Sequence, residues 1–138
     1  MSPTNPPENL SRPGGSLKPE PPDAVEIAAL LRTGRARLVD AGNTTLALES
    51  RFELAYNAAH ALCLAALRAK GYRAANRYTV FQVLPHTLGL GPEVWRVLDL
   101  CHNKRNLGEY EGLLEVDERL VKDLIAATQK VADALSAV

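Results

Sequence analysis

No stretch of this chain approaches the ~20 consecutive apolar residues needed to span a bilayer, and its opening residues lack the apolar core of a secretory signal. The expectation is a cytoplasmic protein without membrane contact. Cysteine is scarce: Cys63 and Cys101 lie far apart inside apolar patterns, with no C-x-x-C spacing. That excludes a disulfide framework and predicts reduced thiols. Net charge is absent as well, because 16 Lys and Arg balance 16 Asp and Glu. The molecule therefore lacks the broad positive field of a DNA-coating protein, and any nucleic-acid contact must come from a local patch. Also missing are a Gly-rich phosphate loop, a G-x-S-x-G elbow and a paired acidic metal motif, which sets aside the enzyme classes built on them. His60 and Cys63 are three apart, and Cys101 and His102 are adjacent, but neither arrangement has an established zinc spacing. No metal or cofactor is expected.

What is present is a chain of 138 residues, enough for one domain that buries roughly two-thirds of its unfolded surface. Residues 1–22 hold most of the nine prolines, a Gly pair and almost no large apolar side chain. Such a composition neither propagates a helix nor fills a core, and it predicts a flexible arm ahead of a folded domain at 23–138. From Asp23 the pattern is helical. Asp23 and Glu26 suit a capping box, after which Ile27, Ala28, Leu31 and Leu38 share a face up to about Gly42. Leu48, Phe52, Ala55, Ala59, Leu62, Ala66 and Ala69 follow in steps of three and four, with Gly71 placed to stop a long helix. "RYTVFQVL" reads as a shorter helix that Pro85 kinks or ends. Pro92 suits the first turn of a fourth, whose stripe is Val94, Leu98 and Cys101, and a fifth follows Asp117. The predicted fold is all-α, an antiparallel up-down bundle of four to five helices.

Chemistry concentrates in "CHNKRNLGEYEGLL". Extending the Leu98 and Cys101 stripe by steps of three and four reaches Arg105, so a guanidinium lies on a face expected to meet other helices. Asn106 adjoins it, Gly108 weakens the helix so that Glu109 and Tyr110 can turn back, and His102 lies one turn earlier. Two readings stand side by side: a polar site, or a helix end whose Arg105 caps carbonyls and pairs with Glu109 or Glu111. The basic residues Arg68, Lys70, Arg73 and Arg77 surround the Gly71 turn, and with Lys104 and Arg105 they can line a phosphate groove or simply be solvated. Tyr72 and Tyr78, interleaved among them, are candidates to stack on bases.

"RNLGEY", following the long helix that contains "RFELAYNAAHALCLAALRAKGY", resembles the HEPN family of small helical-bundle proteins. The family signature is an Arg, a polar residue such as Asn, and after three more residues a His. The likeness spans roughly residues 24 to 137, with Arg51, Tyr56 and His60 similar to the face of the family's long helix. It implies that Arg105 and Asn106 are site residues and that Tyr110 stands where the family has His. Members with the full signature are metal-independent endoribonucleases acting as dimers, in which His serves as base and Arg steadies the phosphorane charge. Others are non-catalytic partners of minimal nucleotidyltransferases in toxin–antitoxin pairs. The resemblance therefore implies a homodimer that binds RNA or a nucleotide, the ribonuclease-like toxin of a nucleotidyltransferase-paired toxin–antitoxin system, with two Arg105 side chains facing one shared cleft. Arg105, Asn106 and Tyr110 from the motif, joined by His102 from its helical spacing, form the candidate catalytic set, and the charge pattern gives Arg105, Lys104, Arg73 and Arg77 as candidate nucleic-acid contacts. The alternative it implies is a helical interaction module partnering a nucleotidyltransferase. Tyr110 is a poor base at neutral pH, and His102 or His60 would have to supply that function.

Overall fold

A computed structural model of the chain describes residues 16–111 and 115–136, with the side chains of 109–111 excepted. Among these residues the architecture is a helical bundle with one small sheet, and no helix is long and apolar enough to cross a membrane. Helix α1 (Ala24–Ala41) starts on Asp23, whose Oδ1 accepts from the amides of Val25 at 2.9 Å and Glu26 at 3.2 Å. The expected capping box is only half made. The Glu26 carboxylate instead accepts from Arg68 and Arg73, because a charged pair is a stronger acceptor's choice than one backbone amide.

Helix α2 (Leu48–Ala69) is the central element, packed on α1 and on the later helices, with Phe52, Ala55, Tyr56, Ala59, Leu62 and Cys63 fully buried. Its many alanines let neighbours approach closely. Gly34 of α1 is the tightest point, since a Cβ there would lie 2.7 Å from Leu62 Cγ. Arg51 Nε donates to the Ala41 carbonyl at 2.8 Å and fixes the α1 to α2 turn. At the other end Gly71 adopts φ +89° and its amide bonds the Arg68 carbonyl, so glycine ends the helix as the sequence implies.

Beyond Gly71 the chain forms strand β2 (Tyr72–Ala74), which pairs antiparallel with β1 (Leu17–Pro19), Leu17 facing Ala74 and Pro19 facing Tyr72. This corrects the expected arm in part: residues 17–21 belong to the folded unit, while 1–15 lie outside the described residues. Leu17 is buried in the core, and the backbone carbonyls of Glu20 and Pro21 accept from Arg68. Composition failed here because a three-residue strand draws its stability from the edge it meets, and that edge lies more than fifty residues away in sequence.

The "RYTVFQVL" segment is two short helices, α3 (Arg77–Gln82) and α4 (Leu84–Thr87), broken at Val83. Pro85 sits in the first turn of α4, where its missing N–H costs nothing. Helix α5 (Pro92–Glu111) stays helical through Gly108, so the expected turning back at Glu109 and Tyr110 does not occur. Helix α6 (Glu118–Ser136) is capped by Asp117, which accepts from the Leu120 amide at 2.8 Å. It buries Leu120, Val121, Leu124, Val131 and Ala132 against α2 and α5. Among the described residues six helices thus stand where four to five were expected, because the single helix expected over "RYTVFQVL" is the pair α3 and α4.

Candidate functional site

A shallow groove of about 570 Å³ lies between the start of α3 and the middle of α5, lined by Asn76, Arg77, Tyr78, His102, Arg105 and Asn106. Each wall follows from local sequence. Asn76 is the N-cap of α3, its Oδ1 accepting from the Thr79 amide and hydroxyl at 2.9 Å, so Arg77 and Tyr78 are the first helical residues after it. On α5, His102, Arg105 and Asn106 are spaced three and four apart and share a face.

The floor is Tyr56 of α2, fully buried. Its hydroxyl lies 2.9 Å from His102 Nδ1, while the Asn106 carboxamide nitrogen lies 3.1 Å from His102 Nε2. With the amide donating into Nε2, the neutral ring carries its proton on Nδ1 and donates it to Tyr56. The imidazole is only 9% exposed and sits among the rings of Tyr56, Phe81 and Tyr78. It is therefore a fixed element of the groove wall.

Two guanidinium groups share the Tyr56 ring. Arg105 Cζ lies 5.0 Å from the ring centroid and Arg77 Cζ 5.9 Å, both within cation–π range. Arg105 Nε also meets Glu53 Oε2 at 3.4 Å, across from α2. The ring thus gathers two like charges that both line one groove, an arrangement suited to an anion. Burial, and then the Asp99 carboxylate, push the Tyr78 phenol above its ordinary range, so it faces the groove as a neutral group.

The sequence-based candidates separate. His102, Arg105, Asn106 and Arg77 come together here. Lys104 does not: it projects into the α5 to α6 groove with Leu100, Val116 and Asp123, because adjacent helical residues diverge by about 100°. Arg73 does not either. It is paired with Glu20 at 2.7 Å and Glu26 at 2.8 Å. Arg68 is 1% exposed and bound to the same two carboxylates, while Tyr72 is in β2 with its carbonyl accepting from Arg68. The side chain of Tyr110 lies outside the described residues, as do those of Glu109 and Glu111.

His60 of α2 stands apart from the groove, edge-on to Phe81. Burial, reinforced by the charges of Arg77, Arg105 and His102, lowers its pKa to about 4, so it is neutral at physiological pH and a weak base. The thiols are inert: burial pushes Cys63 up strongly and Cys101 to about 12. Among the described residues no cluster of three or more His, Cys, Asp or Glu is placed to hold a metal ion.

Sequence reasoning missed Asn76 and Glu53. Asn76 carries a capping signal, but its position beside α5 is a tertiary fact. Glu53 offers no signal, since its partner is 52 residues away. No family model, no curated protein and no solved structure matches this chain.

Proposed function

We propose that the α3 to α5 groove binds the phosphate of RNA or of a nucleotide, in a HEPN-like protein that works as a homodimer. The observation that carries this reading is the meeting of Arg77 and Arg105 over one buried tyrosine ring, flanked by the donors Asn76, Asn106 and Tyr78. The resemblance of "RNLGEY" to the HEPN signature supports it independently, because that motif contains Arg105 and Asn106, two of the residues lining the groove. Binding is favoured over cleavage. His102, the one imidazole lining the groove, has both ring nitrogens engaged with Tyr56 and Asn106.

For the dimer, the supporting feature is on α5. Leu100, on the rim of the α5 to α6 groove, and Leu107 are 49% and 56% exposed and one heptad apart, which aligns them in one exposed strip of the helix. That strip is about 140° around α5 from Arg105, so a dimer formed through it carries two outward grooves in place of one shared cleft.

Labelled single-stranded RNA titrated with the protein tests the proposal. Arg105→Ala and Arg77→Ala should each weaken binding by ~1–3 kcal/mol and shallow the salt dependence by about one ion, with circular dichroism unchanged. Lys104→Ala and Arg73→Ala should leave affinity near wild type, since neither lines the groove. Equal losses from Lys104→Ala and Arg105→Ala would show nonspecific charge attraction. Absence of RNA and nucleotide binding would leave the nucleotidyltransferase-partner role as the surviving implication of the resemblance.

A further inference from the structure

Arg77 lines two cavities. One is the groove already described; the other is a cleft of about 370 Å³ between α1 and α2, within the ~300–1,000 Å³ range of small-molecule sites. Its walls come from two helical faces. Ala29 and Leu30 of α1 oppose Ala61 and Leu64 of α2, all apolar, and its polar lining is Asn57 and His60 of α2 with Thr33, Arg37 and Glu26 of α1 and Arg77. Asn57, His60, Ala61 and Leu64 are spaced three, four and seven along α2, so one face of that helix supplies both wall and edge.

The polar edge is unspent. Neither the Asn57 carboxamide nor the His60 ring has a hydrogen-bond partner among the described residues, and both are only half-buried. His60 stays neutral at physiological pH, so it presents one N–H donor and one nitrogen acceptor rather than a cation. Asn57 likewise presents one acceptor and two donors. Apolar walls with neutral donors and acceptors on one helix are features that hold a heterocyclic base, and Arg77, where a phosphate is expected, lines the same cleft.

We propose that the α1 to α2 cleft is a nucleobase subsite, taking a purine with an adenine-like edge while the attached phosphate rests on Arg77 and Arg105. This rests on the phosphate reading above and adds to it the class of ligand. Adenine fits because a carboxamide pairs with it in a bidentate manner through one donor and one acceptor. Glu26, which also lines the cleft, is held by Arg68 and Arg73, and Thr33 and Arg37 of α1 line it too, so Asn57 and His60 supply the neutral pairing groups on the α2 side.

The test is binding of three probes to the full chain by nuclear magnetic resonance: adenosine 5′-monophosphate, ribose 5-phosphate and adenosine. The expected result is that the monophosphate binds at least about five-fold more tightly than ribose 5-phosphate, with base stacking and edge contacts supplying the difference. Asn57→Ala and, separately, Leu30→Trp, which fills the cleft, should abolish that advantage and leave ribose 5-phosphate binding unchanged. Arg105→Ala should weaken both phosphates and spare adenosine. Equal affinity for adenosine 5′-monophosphate and ribose 5-phosphate, both lost in Arg105→Ala, would overturn the base subsite and leave the phosphate site standing. Adenosine binding that survives Leu30→Trp would also overturn it. Absence of binding by all three probes would overturn the base subsite, and the RNA titration then decides the phosphate site separately.

Discussion

Arg105 is held from two sides, by the Glu53 carboxylate at 3.4 Å and by the Tyr56 ring, and these partners affect an incoming phosphate differently. The ring costs the phosphate nothing. Glu53 competes with it, since its charge is of the same sign, so Glu53→Gln should tighten RNA binding two- to five-fold, or roughly 0.4–1 kcal/mol, at low salt. The same titration checks this, and weaker binding in the variant would mean that Glu53 positions Arg105 more than it neutralises it. His60 gives a second expectation at this scale. Its folded pKa, about 4, lies below the ordinary value of 6.5, so the unfolded chain takes up the proton first. Its contribution to stability is complete above about pH 6.5 and is lost as pH falls towards 4, at a slope of at most about 1.4 kcal/mol per pH unit. Urea midpoints between pH 7.5 and 4 should therefore fall less steeply in His60→Leu than in the wild type.

The two-stranded sheet shows what a short element requires. Three residues in β1 cannot hold themselves to the bundle, and Arg68 does much of it: buried at the end of α2, it bonds Glu26 at 2.7 Å, the Pro21 carbonyl at 2.8 Å and the carbonyls of Glu20 and Tyr72. Arg73 crosses from β2 to the same carboxylates but is 39% exposed. Because a buried cation with several acceptors leaves them unpaired when removed, Arg68→Ala should destabilise by about 3–5 kcal/mol, whereas Arg73→Ala, at a solvent-screened site, should cost far less. Truncation of residues 1–21 removes Leu17 from the core and three of the acceptors of Arg68, and should cost roughly 2–4 kcal/mol by thermal or urea unfolding. An unchanged midpoint would mean that β1 contributes nothing to the bundle. Both carboxylates have lowered pKa values, Glu20 through its bond from Arg73 and Glu26 through bonds from Arg68 and then Arg73. Their contribution persists above about pH 4.5 and is lost as pH falls below it, later in an acid titration than that of His60.

For the whole molecule, the expected assembly is a dimer through the outer strip of α5. Light scattering at tens of micromolar should show a dimer that Leu100→Glu with Leu107→Glu converts to monomer, because a charge on each strip meets its own copy across a two-fold axis. RNA affinity per chain should survive that change, since Arg105 faces elsewhere on α5. A dimer that persists in the double variant would point to the groove rim as the interface and restore the single shared cleft implied by the HEPN resemblance.

Read alone, the sequence determined what is periodic or chemically local. The apolar steps of α2 and α6, the capping aspartates at 23 and 117, Pro92 in the first turn of α5 and Gly71 as a helix stop each state a rule satisfied within a few residues. The motif around Arg105 also drew attention to three of the groove residues, His102, Arg105 and Asn106, because they share one helical face. Only the tertiary structure decided which cations meet. Arg77 reaches the groove because Asn76 starts a new helix beside α5; Lys104 is turned away by a single residue step; Arg73 is taken by the carboxylates of Glu20, just past β1, and Glu26 of α1. It also decided that a proline-rich stretch becomes a strand, since hydrogen bonds and charge pairs across more than fifty residues leave no trace in a local pattern.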